Sequence, residues 1–300
     1  MGRRQGTERG APDMSFWLLL AVNSVTFGGL LFLLSAGFSL IFGLMRIPNL
    51  THGSLFMLGA YFGASFVTWY HLDFWLSALL AALLVAAFGA AVEFLLLRRL
   101  SGSTLAQVLV TLGISFIVAD FCLMVWTGDP ISVETPQHLT GAMRVLGLIF
   151  PVYRIAIILI ACLIAACLWF LIDNTRIGAM IRAGVDDPQM ARVVGIRVSR
   201  LFTLVFALGA GLAGFAGMIG SPILSVYPGL DADMLPLALV VVILGGTGSL
   251  LGSLVGSFII GFLYNFGQAL VPELAYFVLF LPMVLVLVLR PQGLFGRHAP

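Results

Sequence analysis

The sequence predicts an all-α polytopic membrane protein with about eight or nine transmembrane or half-spanning helices. Three observations carry that prediction. Hydrophobic residues make up 61% of the 300-residue chain and charged residues 9%, against a charged share near ~25% in soluble domains. Apolar runs of about twenty residues recur along almost the whole length, each able to cross a ~30 Å hydrocarbon core as a helix. The runs also lack the alternating polar positions that strands of a membrane barrel display.

Residues 1–15 form a polar N-terminal tail. Its start, MGRRQGTERGAPDM, resembles the positive region of a signal peptide. The apolar stretch from Phe16 to Met45 is far too long for a cleaved one and stays as a membrane helix. Spans are expected at 17–45, 53–70, 74–97, 104–126, 151–172, 200–221, 234–247, 250–268 and 274–290. The first is overlong and begins as a partly interfacial segment around Trp17 to Asn23. The seventh is short and ends in Gly245-Gly246-Thr247-Gly248-Ser249, where a helix should break. The chain therefore divides into N-terminal membrane helices over 16–172, a polar loop over 173–200, C-terminal membrane helices over 201–290 and a tail over 291–300.

Arginines in short loops set the orientation. Arg98 and Arg99, the 173–200 loop, and Arg290 with Arg297 fall on one side if the spans alternate, and that side should be the cytoplasm. Gly128 to Phe150 and Ser221 to Asp233 then face the opposite side. The same alternation puts the N-terminus outside, which Arg3, Arg4 and Arg9 oppose. Were Phe16 to Leu34 and Ala36 to Met45 separate elements, it would be inside.

The loop from Asp173 to Arg200 is the one long polar island, with five arginines: Arg176, Arg182, Arg192, Arg197 and Arg200. Asp187 can cap a helix, Pro188 suits its first position, and Gly195 can close it in a left-handed turn. The helix so bounded, 188–194, puts Met190, Val193 and Val194 on one face. So short a helix is marginal alone in water, so it should rest on the lipid surface, its own bundle or a partner subunit.

Two interrupted segments follow the same order. Gly37 to Ala60 breaks at Pro48-Asn49 and resumes at Thr51-His52-Gly53-Ser54, while Leu237 to Phe258 breaks at Gly245-Gly246 and resumes at Thr247-Gly248-Ser249. Interrupted helices at matching places in two halves point to a substrate pathway, because freed backbone groups are tolerated only where they line a cavity. Asn49, Thr51 and His52 either offer donors and acceptors to a passing solute, or cap the following helix with His52 at the headgroups. Gly248, Gly252 and Gly256, like Gly209, Ala213 and Gly217, make ladders for close helix packing, which a pathway role does not exclude. Glu93 and Asp120 are candidate proton-relay carboxylates. Against that, Glu93 lies near Arg98 and Asp120 near the other end of its span.

Several classes are excluded. The chain contains no lysine, so it has neither the lysine of a P-loop nor a Schiff-base lysine. Cys122, Cys162 and Cys167 read as small buried hydrophobes. The histidines at 52, 71, 138 and 298 lack metal-ligand spacing, and no nucleophilic constellation appears. The arginine-rich loop is short and interrupted by Asp186 and Asp187, so nucleic acid is not an expected partner.

FSLIFGLMRIPNLTHGSLFMLGAY (38–61), IRAGVDDPQMARVVGIRVSRL (181–201), VVILGGTGSLLGSLVG and the ending RPQGLFGR together resemble the permease subunits of branched-chain amino acid ABC importers, more closely the shorter of the two permeases. The resemblance runs from about residue 20 to the C-terminus. It implies a type II ABC importer-like permease with interrupted helices in a bacterial inner membrane, with 173–200 and the C-terminus cytoplasmic. The implied partners are a second homologous permease, two ATP-binding cassette subunits and a soluble solute-binding protein, besides the lipid bilayer. ATP and Mg belong to those partner subunits, and no cofactor is expected in this chain. Arg182, Ala183, Asp186, Asp187, Ala191, Gly195 and Ile196 match the family's ATPase-coupling motif, and Pro188, Met190 and Val194 complete the predicted helix. Asn49, His52, Gly53, Gly245, Gly246 and Thr247 match pathway positions, with Thr51 beside them. Leu50 and Thr51 depart from the family's Phe and small residue, and Ser54 stands where an acid is often found. The implied function is ATP-driven import of a branched-chain amino acid or a related small polar solute. The alternative is a stand-alone secondary transporter or channel.

Overall fold

The computed structural model describes residues 14–45, 49–100, 102–145 and 148–296. The tail over residues 1–13, Pro48 of the first predicted break, and the last residues of the C-terminal tail, Arg297 included, lie outside them. Eleven α-helices follow one another among the described residues: α1 (Met14–Met45), α2 (His52–Thr68), α3 (Phe74–Leu95), α4 (Thr104–Trp126), α5 (Val152–Asn174), α6 (Arg176–Asp186), α7 (Pro188–Val193), α8 (Val198–Leu224), α9 (Leu230–Gly245), α10 (Leu250–Leu270) and α11 (Ala275–Leu289). A hairpin of β1 (Ala142–Val145) and β2 (Leu148–Pro151) precedes α5, its antiparallel register pairing Met143 with Phe150. Six helices, α1, α3, α4, α5, α8 and α10, are long and apolar enough to cross a membrane. Apolar α2, α9 and α11 are shorter.

Local chemistry fixes the helix starts. Asp73 Oδ1 accepts from the amides of Trp75 (2.9 Å) and Leu76 (3.2 Å) to cap α3, and Ser249 Oγ accepts from Gly252 N (3.0 Å) to cap α10. Asp231 and Asp233 occupy the first turn of α9, where the helix dipole favours negative charge.

The single span expected over Phe16 to Met45 is one helix, with Trp17 stacked on Phe266 of α10 (6.0 Å). Two expectations change. The 173–200 loop holds a second helix, α6, before the expected one. Asp231 and Asp233, read as part of an outer loop, instead open α9, which starts four residues earlier than its predicted span.

Helices α1, α2, α8 and α9 form the interior, and α3, α4, α5 and α10 surround them. Outer faces carry Leu105, Phe116, Ile117 and Met124 on α4 and Leu159, Leu163, Trp169 and Phe170 on α5, all exposed, as a lipid-facing surface requires. Lipid is as apolar as leucine, so interior helices associate through close packing rather than through hydrophobic transfer. Glycine permits it: a Cβ on Gly59 would stand 2.2 Å from Gly214 Cα, and one on Gly217 would stand 2.0 Å from Phe56 O. On α10, Gly252 meets Gly245 and Gly256 meets Val241 of α9. The two small-residue ladders are packing surfaces.

Candidate translocation seam and docking surface

The polar cluster after α1 lies deep in the bundle. His52 Nε2 donates to Leu34 O (2.9 Å), so α2 starts roughly 16 Å back along α1 from its end. Phe38 meets the His52 ring edge-on at 5.1 Å. Asn49 Oδ1 accepts from Thr51 N (3.2 Å), and Thr51 Oγ1 leaves its own helix to donate to Thr111 O of α4 (3.0 Å). Neither side chain makes a regular cap on α2, and His52 is buried rather than at headgroups. Asn49 Nδ2 and His52 Nδ1 have no hydrogen-bond partner among the described residues.

One residue further on, α9 joins the seam. A Cβ on Gly53 would stand 2.5 Å from Asp231 O, so only glycine admits α9 this closely. Ser54 Oγ then lies 2.9 Å from Ser115 Oγ and 3.0 Å from Asp231 Oδ2. The single Ser54 hydrogen goes to the carboxylate, which only accepts, and Ser115 is left to donate to Ser54. Asp231 is 8% exposed, and among the described residues the two ion pairs, Arg98–Glu93 and Arg182–Asp173, do not include it. Ser115 is the middle residue of α4, so this carboxylate sits near the membrane midplane. Two turns along α2, Tyr61 is fully buried, and its hydroxyl has no hydrogen-bond partner among the described residues. It stacks on Trp126 of α4 at 4.8 Å, and Trp126 Nε1 donates to Ser65 Oγ (2.6 Å). Asp231 and Tyr61 carry no motif that marks them in the sequence. The available signal was Gly229 followed by acids, a helix start rather than a loop.

Gly245, Gly246 and Thr247 stand at the far end of α9, roughly 20 Å from Asp231. The C-terminal segment covers this end: Leu294 N donates to Leu244 O (2.9 Å) and Phe295 N to Gly245 O (3.0 Å). Gly246 takes φ +103°, and Thr247 is exposed. Gly43 of α1 packs on Gly248. The residues around the two predicted breaks are thus split between a buried seam and a capped helix end.

Charged residues gather at that same end. Glu93, 1% exposed, pairs with Arg98 at 3.2 Å and accepts from Thr203 Oγ1 of α8 at 2.5 Å, while Arg98 also donates to Ser199 O (2.9 Å). Asp120 is exposed on α4, toward the opposite end. Thr175 Oγ1 caps α6 by accepting from Gly178 N (3.2 Å), and Arg182 turns back to Asp173 (3.5 Å) and the Ile172 carbonyl at the end of α5. Half-buried Ala183 precedes exposed Asp186, the last residue of α6.

Helix α7 is closed at both ends. Asp187 Oδ1 accepts from Gln189 N (2.9 Å) and Met190 N (3.0 Å), with Pro188 in the first turn. Gly195, at φ +88°, allows Ile196 N to reach Ala191 O (2.9 Å) and Gly195 N to reach Arg192 O (3.1 Å), the paired bonds of a Schellman turn. Ala191 is buried toward the bundle and Ile196 packs beside α6 and α8, whereas Met190, Val193 and Val194 are 58%, 80% and 68% exposed. The result is a short rigid knob, anchored on one side and apolar on the other, rimmed by exposed Asp186, Asp187, Arg192 and Arg197.

The family described as branched-chain amino acid transport system / permease component matches residues 20–287. The high-affinity branched-chain amino acid transport system permease protein BraD of Pseudomonas aeruginosa is 26% identical over 300 residues, covering 95% of this chain and 98% of its own length. The corresponding protein LivH of Escherichia coli is 25% identical over 298 residues, covering 94% and 96%. The ribose import permease protein RbsC of Escherichia coli is 26% identical over 251 residues, covering 80% and 74%. No solved structure matches.

Proposed function

The chain belongs to the branched-chain amino acid transport system permease family, and from that premise we propose that it passes a branched-chain amino acid, or a related small polar solute, through a bacterial inner membrane. It is a transport permease and not an enzyme, and ATP is hydrolysed by separate subunits. In this reading it pairs with a second homologous permease, receives solute from a soluble binding protein on the outer side, and is driven by two ATP-binding cassette subunits holding ATP and Mg. The loop over 173–200 and the C-terminus face the cytoplasm.

The observation that carries the reading is α7. Three large apolar side chains stand exposed on a helix whose cap, closing glycine turn and buried Ala191 hold it in place. A short helix fixed so firmly with its apolar face outward has the form of a docking element. Charges around it supply register for a partner surface.

Uptake of radiolabelled L-leucine into proteoliposomes tests this directly. The complete importer with ATP inside and binding protein outside should accumulate leucine, while this permease alone under a proton or sodium gradient should not. Accumulation by the permease alone would establish the secondary carrier instead. Parallel assays with urea and acetamide place the solute class.

A further inference from the structure

We propose that Asp231 and Ser54 form the subsite that receives the positively charged amino group of the transported solute. The inference rests on the amino acid reading above and names the atoms that would serve it. Asp231 Oδ2 is held by Ser54 (3.0 Å), which is itself held by Ser115 (2.9 Å). This chain of hydroxyls orients the carboxylate without neutralising it. Each side chain comes from a different element, α9, α2 and α4, so the site lies where three helices converge.

The charge is the second step. A carboxylate buried near the midplane calls for a counter-charge, and ionisable groups at that depth are functional by default. The dipole of α9 meets only part of that requirement. Among the described residues the arginines that form ion pairs do so at the other end of the bundle, with Glu93 and Asp173. The chain has no lysine to supply one. A zwitterionic amino acid brings the missing cation with it, and an ammonium has three donors for acceptors such as Asp231 Oδ2 and Ser54 Oγ.

Tyr61 is the independent sign of a ligand. Its hydroxyl is fully buried with no hydrogen-bond partner among the described residues, two turns along the same face of α2 as Ser54. Buried hydroxyls are ordinarily bonded. Aromatic stacking on Trp126 fixes the ring, so the hydroxyl stays available to a polar group moving along the seam.

The test compares three forms of the complete importer in proteoliposomes, matched for assembly by co-purification of the ATPase subunits: wild type, Asp231→Asn, and the exchange Ser54→Asp with Asp231→Ser. Asp231→Asn should lower the rate of L-leucine uptake by about tenfold or more, the factor that accompanies loss of a charged hydrogen bond. The exchange moves the carboxylate across the same hydrogen bond and should recover at least several-fold over Asp231→Asn. A role confined to the first turn of α9 would not be rescued from α2. Leucine uptake by Asp231→Asn at the wild-type rate, or an exchange no better than Asp231→Asn, overturns the inference while leaving the amino acid reading intact. A wild-type importer that carries acetamide and not L-leucine overturns both.

Discussion

Replacing Val193 with aspartate tests whether α7 is gripped by another protein. Val193 is 80% exposed on this chain, so the change should shift the permease's own stability by no more than about 0.5 kcal/mol. On a partner surface the arithmetic differs. Burying a valine is worth about 1.5 kcal/mol, and stripping water from an unmatched carboxylate adds at least about as much again. A total near ~3 kcal/mol corresponds to roughly 100-fold weaker binding. The assay titrates purified ATPase subunits onto the permease in lipid nanodiscs and reads the Kd, with thermal unfolding of the permease as control. Ala191→Asp is the contrasting variant: its site is buried, so it should lower the unfolding temperature of the permease itself. An unchanged Kd for Val193→Asp would refute the docking assignment.

Other variants probe what holds these parts in place. Gly217→Leu should cost more than about 3 kcal/mol, because its Cβ alone would stand 2.0 Å from Phe56 O and α2 must lift off α8; thermal unfolding in detergent reads it. Asp187→Ala should cost α7 about 1 kcal/mol, seen as faster hydrogen exchange at the amides of Gln189 and Met190, which it now bonds. Glu93→Ala should destabilise the permease by about 2 kcal/mol, since Arg98 and Thr203 both lose their acceptor; calorimetry of purified permease measures it.

Helices and their stops were readable wherever one residue type decides the local structure. Asp187, Pro188 and Gly195 bound α7 through short-range hydrogen bonds that the sequence itself specifies. Apolar length did the same for the spans, since a bilayer admits few alternatives. Helix α6 is hard to read from the sequence because its apolar positions, Ile177, Ile181 and Val185, are interspersed with Arg176, Gly178, Arg182 and Gly184. The seam was half visible. Asn49, Thr51 and His52 announced themselves as polar residues between apolar runs, but Asp231 is 177 positions from Ser54. That pairing is made by tertiary packing at Gly53, which neither periodicity nor spacing encodes.

On the proposed reading, the geometry also says how a partner's stroke would reach the seam. Ala191 of α7 is buried, and α7 packs on the start of α8. Helix α8 spans 27 residues, roughly 40 Å, and so runs the depth of the bilayer. Along it, Gly209 meets Gly37 of α1, Gly214 meets Gly59 of α2, and Gly217 meets Phe56 O. Backbone-to-backbone contacts of this kind leave no side chain to yield, so a tilt of α8 must move α2 or break the contact. Moving α2 moves Ser54 relative to α9, because Gly53 is wedged against Asp231 O. An element that shifts at α7 would thus open or close the Ser54–Asp231 contact, and a bound ammonium would feel the change directly.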